Sequence, residues 1–224
     1  MIYPENIMIC IAVPLVITAV FMQGRAKYFA YSFAAGMVIS LVSAYIGGFF
    51  QFSVDLSAED TSIFISPILE ESMKLLPVLL YMFLFAPRDE ELLIVSLGTG
   101  AGFATFENIC HILAYGAESF TYVMIRGFAA GIMHIISVYA LILAMLRLKR
   151  YSVAYVYVVA GGLGLSVSFH ALYNLLVSES GITSYIGYVL PVSVAAILLL
   201  LEKRHRDESD EQDLLFFEKG GKTQ

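Results

Sequence analysis

Ten polar side chains interrupt stretches that are otherwise apolar: Glu70, Glu71 and Lys74, then Glu107, Asn108 and His111, then Arg126 and His134, and finally His170 and Asn174. Their types are those of a hydrolytic site. One carboxylate can take a proton from water, a second can hold that water or raise the proton affinity of the first, and His and Asn can donate hydrogen bonds to an oxyanion. The same Glu and His side chains are also acceptable ligands for Zn²⁺. No HExxH is present, so the expectation is a site without a cofactor, with zinc as the alternative and Glu71, Glu107, His134 and His170 as its candidate ligands. Bland readings exist for several of these residues. Lys74 lies four residues after Glu70 and three after Glu71, the spacing of an ion pair within one helix. His111 is placed near the outer interface, and Arg126 either neutralises a Glu on a neighbouring helix or binds substrate. Taken together, ionisable groups at membrane depth mark functional paths by default.

Spacing constrains which groups can meet. Phe103 and Glu107 are four residues apart, as are His170 and Asn174, so each pair projects from one helical face. Glu70 and Glu71 point about 100° apart; one can face a cavity while the other pairs with Lys74 or Arg126. At helical rise Glu70 and Glu71 lie about 14 Å below the outer surface and Glu107 about 12 Å, with His170 in the same layer. His134 comes out deeper, at about 22 Å, unless tilt brings it closer.

The elements that must position these residues are membrane helices. The chain is 59% hydrophobic and only 14% charged, with a mean hydropathy of +0.79, whereas soluble domains carry about 25% charged residues. Apolar stretches long enough to cross about 30 Å of hydrocarbon fall at about 6–23, 28–50, 61–86, 91–115, 119–146, 152–177 and 183–201. The expected fold is an all-α bundle of seven transmembrane helices. Pro77 is the expected kink in the third, and Gly98, Gly100, Gly102, Gly161, Gly162 and Gly164 are the expected close-packing positions. Basic residues follow the first, third, fifth and seventh spans (Arg25 and Lys27; Arg88; Arg147, Lys149 and Arg150; Lys203 to Lys222) and are absent from the alternate loops. By the positive-inside rule this puts the N-terminus outside and the C-terminus in the cytoplasm. Residues 1–201 then form the membrane domain, with no room for a separate soluble one, and 202–224 a charged, mobile cytoplasmic tail that carries much of the net charge of −6. The first span lacks the basic n-region of a signal peptide and is expected to stay as an anchor. Cys10 and Cys110 lie in apolar spans and do not suggest a disulfide framework.

Four ordered motifs, "EESMK" at 70–74, "GFATFEN" at 102–108, "RGFAAGIMH" at 126–134 and "SFHALYN" at 168–174, resemble those of the PrsW family of intramembrane proteases. That family is grouped with the CAAX prenyl endopeptidases and the bacteriocin-processing proteins. Glu70 and Glu71 match the paired glutamates of the CAAX pattern, and His170 with Asn174 its last motif. Glu107 stands where those enzymes have His, as is usual of PrsW-like proteins, and Lys74 comes one residue earlier than their Arg. The resemblance implies a multi-pass protease of a bacterial plasma membrane. Its implied substrate is a single-pass membrane protein, typically an anti-sigma factor, cut near its extracytoplasmic side as the first step of regulated proteolysis. In the mechanism it suggests, Glu70 or Glu71 is general base on a water also held by Glu107, His170 and Asn174 stabilise the oxyanion, and His134 supports the site or ligates a metal. Family members have been described as metalloproteases and as glutamic-type proteases; the glutamic type is the expectation here.

Two readings of other classes remain open on the residues alone. A proton-coupled transporter would also bury carboxylates, Lys and His, although such folds commonly show internal repeats and midplane sites. An immunity-type protein that binds a peptide without cutting it would need the pocket but not the water.

Overall fold

The computed structural model describes residues 3–116, 119–148 and 155–220, and among them it is helical apart from short connections, without a strand. Lys149, Arg150 and Lys222, part of the charge asymmetry above, lie outside the described residues, as do the first residues of the sixth expected span. The helices are α1 (Pro4–Phe21), α2 (Arg25–Val54), a single turn α3 (Ala58–Asp60), α4 (Ser66–Phe85), α5 (Asp89–Tyr115), α6 (Phe120–Leu148), α7 (Tyr155–Ser178) and α8 (Ile182–Gly220). A π-helical turn, Thr61–Ile65, joins α3 to α4. Six of them, α1, α2, α5, α6, α7 and α8 as far as His205, are long and apolar enough to cross a membrane. This is a multi-pass membrane protein. The third expected span corresponds to α4, which is not among the six: Glu70, Glu71 and Lys74 lower its apolar character. It packs instead against α2, α5, α6 and α7, which screen those groups from lipid. α4 runs without interruption across Pro77, and α8 continues as helix through the charged stretch expected to be a mobile tail.

Local chemistry sets the ends. Ser57 caps α3, its hydroxyl accepting from the Asp60 amide at 2.9 Å. α4 stops at Ala86, in the left-handed region with φ 44°, immediately before Pro87, which could not continue the hydrogen-bond ladder. Asp89, Glu90 and Glu91 fill the first turn of α5, where carboxylates complement the exposed N–H groups and the helix dipole.

Close packing is concentrated on α5. A Cβ at Gly102 would lie 1.9 Å from the Phe33 carbonyl oxygen, and one at Gly36 2.2 Å from that of Thr99, so α2 and α5 touch backbone to backbone. Gly100 makes the same kind of approach to α6 at His134 and Ile135. Gly161 and Gly164 do not act in this way; a Cβ there would meet nothing within 4 Å. At one end of the bundle Leu75 and Val78 of α4, Leu92 and Val95 of α5 and Val138, Leu141, Ile142 and Met145 of α6 form an apolar core. The N-terminal parts of α4 and α6 and the C-terminal parts of α5 and α7 meet at the other end, and there the interior is polar.

Candidate functional site

Glu71 and Lys74 are one turn apart on α4 and share its buried face. The Lys74 ammonium lies 2.6 Å from Glu71 Oε1, 3.0 Å from His134 Nδ1 and 3.2 Å from Ser137 Oγ. It also sits 5.1 Å from the centroid of the Phe103 ring, so Phe103 shields it while the face of the ring attracts it. His170, on α7, directs Nδ1 at the same Glu71 oxygen, 2.7 Å away, and its ring meets that of His134 edge-on at 5.0 Å between centroids. On the far side His134 Nε2 contacts Glu107 Oε2. The other oxygen of Glu107 accepts from Arg126 at 2.9 Å. Four helices are thereby tied by one unbroken chain of polar contacts, and Glu71, Lys74, His134 and His170 are all buried.

Glu70 is set apart. Turned from Glu71 by the helical angle, it lines a cavity of about 430 Å³ together with Glu107, Arg126, His134, His170 and Asn174. Its Oε2 is buried without a hydrogen-bond partner and lies 3.8 Å from His170 Nε2. A buried carboxylate oxygen left unbonded is costly, and Glu107 Oε2, on the same cavity, is in the same state. Arg126 Nε is likewise buried and unbonded.

The structure divides the expected residues more sharply than their spacing does. Glu71 is enclosed by Lys74 and His170, whereas Glu70 faces the cavity. His134 joins the cluster despite its greater expected depth, because it is met by the long side chains of Lys74 and Glu107. Arg126 pairs with Glu107, one of the two roles expected of it, while still lining the cavity. His111 is at the cavity wall with Nε2 3.0 Å from the Tyr122 hydroxyl.

Asn174 occupies an unexpected place. Its side-chain amide donates to the Ser62 carbonyl at 2.8 Å. In the π turn the Ser66 amide bonds back to Thr61, and the next residue, Pro67, has no N–H to offer Ser62. Asn174 therefore satisfies a carbonyl that Pro67 orphans, and pins the π turn over the cavity. Ser137 was not among the expected residues; its hydroxyl is one turn beyond His134 on the same face of α6, a spacing that could have flagged it.

Glu70, His134 and His170 each offer a ligand atom, all within 4.8 Å of one another, and a carboxylate with two imidazoles is a donor set that suits zinc. The unbonded Glu70 oxygen and the carboxylate-backed His170 ring fit such an ion, since a ligating imidazole usually donates its other N–H to a carboxylate. Glu71, one of the expected ligands, belongs instead to the layer behind, holding His170 and Lys74.

A family model described as PrsW family intramembrane metalloprotease matches residues 24–201. The match names that family and says nothing of the wider grouping with CAAX endopeptidases expected from the motifs. No curated protein matches the chain, and no solved structure does. With the family described as metalloproteases and this donor group in the cavity, the expectation of a site without a cofactor is left unsupported; zinc stands level with it.

Proposed function

Since the chain belongs to the PrsW family of intramembrane metalloproteases, we propose that it hydrolyses a peptide bond of a single-pass membrane protein, an anti-sigma factor being the substrate class, in the cavity faced by Glu70. The observation that supports this reading is the buried, unbonded Oε2 of Glu70 beside His170 Nε2 at 3.8 Å. Of the paired glutamates, only Glu70 is free to meet a water there.

In this mechanism Glu70 removes a proton from water as the water oxygen bonds to the scissile carbonyl carbon, and the carbonyl π electrons move onto its oxygen. The oxyanion is met by donors lining the same cavity: Arg126 through its unbonded Nε–H, and Asn174 through the amide hydrogen not given to Ser62. When the tetrahedral intermediate collapses, the C–N bond breaks and the nitrogen takes the proton from Glu70, giving a carboxylic acid and an amine. Glu107, held by Arg126 and His134, keeps the opposite wall polar and ordered.

A second reading is favoured by the three convergent ligand atoms. Glu70 and His170, with His134 as the third group in reach, would hold zinc, which when bound would polarise water and the substrate carbonyl as a Lewis acid. Under either reading the expected orientation opens the cavity toward the extracytoplasmic side, because the polar cluster and the helix ends bearing Arg25, Arg88 and Arg147 lie at opposite ends of the bundle.

The test is cleavage of tagged single-pass proteins, anti-sigma factors among them, by reconstituted wild type, Glu70→Gln and Glu71→Gln, with and without a strong zinc chelator. Glu70→Gln is expected to lose at least about 100-fold in rate, the usual scale of general-base removal. Chelator-resistant cleavage by the wild type selects the glutamic route; chelator-sensitive cleavage restored by Zn²⁺ selects the metal route. Full activity in Glu70→Gln would overturn both.

A further inference from the structure

Two histidines face each other across the site, and their surroundings differ in one respect that decides where each carries its proton. Lys74 as an ammonium is a donor only, with three hydrogens and no lone pair. All three are spoken for, by Glu71 Oε1 at 2.6 Å, His134 Nδ1 at 3.0 Å and Ser137 Oγ at 3.2 Å. The Ser137 hydroxyl hydrogen goes to the His134 carbonyl at 3.1 Å, which leaves its oxygen free to accept. A ring nitrogen facing a donor-only group must present a lone pair, so Nδ1 of His134 is bare and its proton sits on Nε2. At that end the ring lies against Glu107 Oε2, which makes no hydrogen bond among the described residues, so the Nε2 proton stays available to the cavity. The Lys74 end of the ring therefore sets the His134 tautomer.

His170 is set the other way. Its Nδ1 meets Glu71 Oε1 at 2.7 Å, and a carboxylate paired with Lys74 is an acceptor, so Nδ1 carries the proton and Nε2 is bare. That bare nitrogen is the one facing Glu70, at a distance of 3.8 Å, where no hydrogen bond forms.

We propose that Lys74 is a positioning residue that sorts the two histidines into opposite tautomers, His134 directly and His170 through Glu71. The cavity then carries one Nε2–H donor beside Glu107 and one Nε2 lone pair beside Glu70. Water entering between them finds an acceptor on the side of Glu70 and a donor on the side of Glu107, which orients it with its oxygen lone pair away from the base. Glu70 and His170 are also the two groups whose lone pairs are ready for a cation; an ion held by all three groups would have to displace the His134 proton. The bearing of this on catalysis rests on the hydrolase reading, but the assignment itself does not.

The experiment is a long-range ¹H–¹⁵N correlation spectrum of the full-length, chelator-treated protein in lipid nanodiscs, labelled with ¹⁵N-histidine. Signals are assigned by their loss in His134→Gln and His170→Gln. The expected result is a His134 ring protonated at Nε2 and a His170 ring protonated at Nδ1, with Lys74→Met causing the loss of the fixed His134 pattern. The same tautomer in both rings, a proton on Nδ1 of His134, or an unchanged His134 pattern in a folded Lys74→Met variant would overturn the proposal. The wild-type spectrum decides the assignment even if that variant does not fold. Correct tautomers without peptide cleavage would sink the hydrolase reading and leave this one standing.

Discussion

Lys74–Glu71 and Arg25–Glu90 are both contacts between a cationic side chain and a glutamate, and they sit in opposite circumstances. The side chains of the first pair are 0% and 1% exposed, those of the second 69% and 64%. At the rim, water screens the charges, and such a pair contributes about 0–1 kcal/mol. In the interior each ion gives up several kcal/mol of hydration, and the attraction offsets that only when every donor and acceptor is matched. Lys74 meets that condition with three acceptors, and Glu71 Oε1 with two donors. What the interior pair adds is aim. Each member holds a histidine, whereas Arg25 and Glu90 join the first turns of α2 and α5 to each other.

The sharpest way to break this contrast is to remove one member of the buried pair. Lys74→Met should cost about 3–5 kcal/mol of stability, because Glu71 is left charged and unpaired in the interior. Reversible unfolding in mixed micelles measures it. The double change Lys74→Met with Glu71→Met should recover much of that loss, since replacing a buried pair by apolar groups is often neutral. A single-variant cost under about 1 kcal/mol would mean that the interior pair behaves like the exposed one.

Much of the architecture was legible before any coordinates. Apolar runs of membrane length with basic residues between them place the helices to within a few residues of where they lie, apart from the far end of α8, which continues to Gly220, since hydrocarbon thickness dictates length and backbone satisfaction dictates helix. The polar residues stood out because each is expensive in an apolar run. The division of labour between Glu70 and Glu71 was not legible: two adjacent residues point about 100° apart, and which faces the cavity depends on how α4 is rotated against α5 and α7. That His134 meets the others across its greater expected depth was not legible, because helical rise locates a Cα, while Lys74 and Glu107 reach toward it with long side chains. Gly161 and Gly164 were expected to pack as Gly100 and Gly102 do; small residues permit close approach, but only a neighbouring helix makes it.

Asn174 sharpens the comparison between charged and neutral contacts. The Ser62 carbonyl depends on it because Pro67 supplies no amide. Asn174→Ala should cost about 1–3 kcal/mol, the usual consequence of removing one partner and leaving the other unsatisfied. The loss should be local, seen as faster hydrogen exchange over residues 61–66 with α6 unchanged. Uniform loosening of all helices would assign Asn174 a global role instead.

The smallest effect belongs to the rim. Arg25→Ala removes one partner of a pair that is more than half exposed, and water can solvate the Glu90 carboxylate left behind. The expected loss of stability is below about 1 kcal/mol. It should also vanish between about 0.1 M and about 1 M salt, as the screening length falls from about 10 Å to about 3 Å. The cost of Lys74→Met should persist over the same range, because ions do not enter a site whose side chains are shut off from solvent. If salt erased both differences alike, the cavity would have to admit electrolyte as far as Lys74, and burial could no longer explain why the interior pair orders two histidines while the rim pair orders nothing.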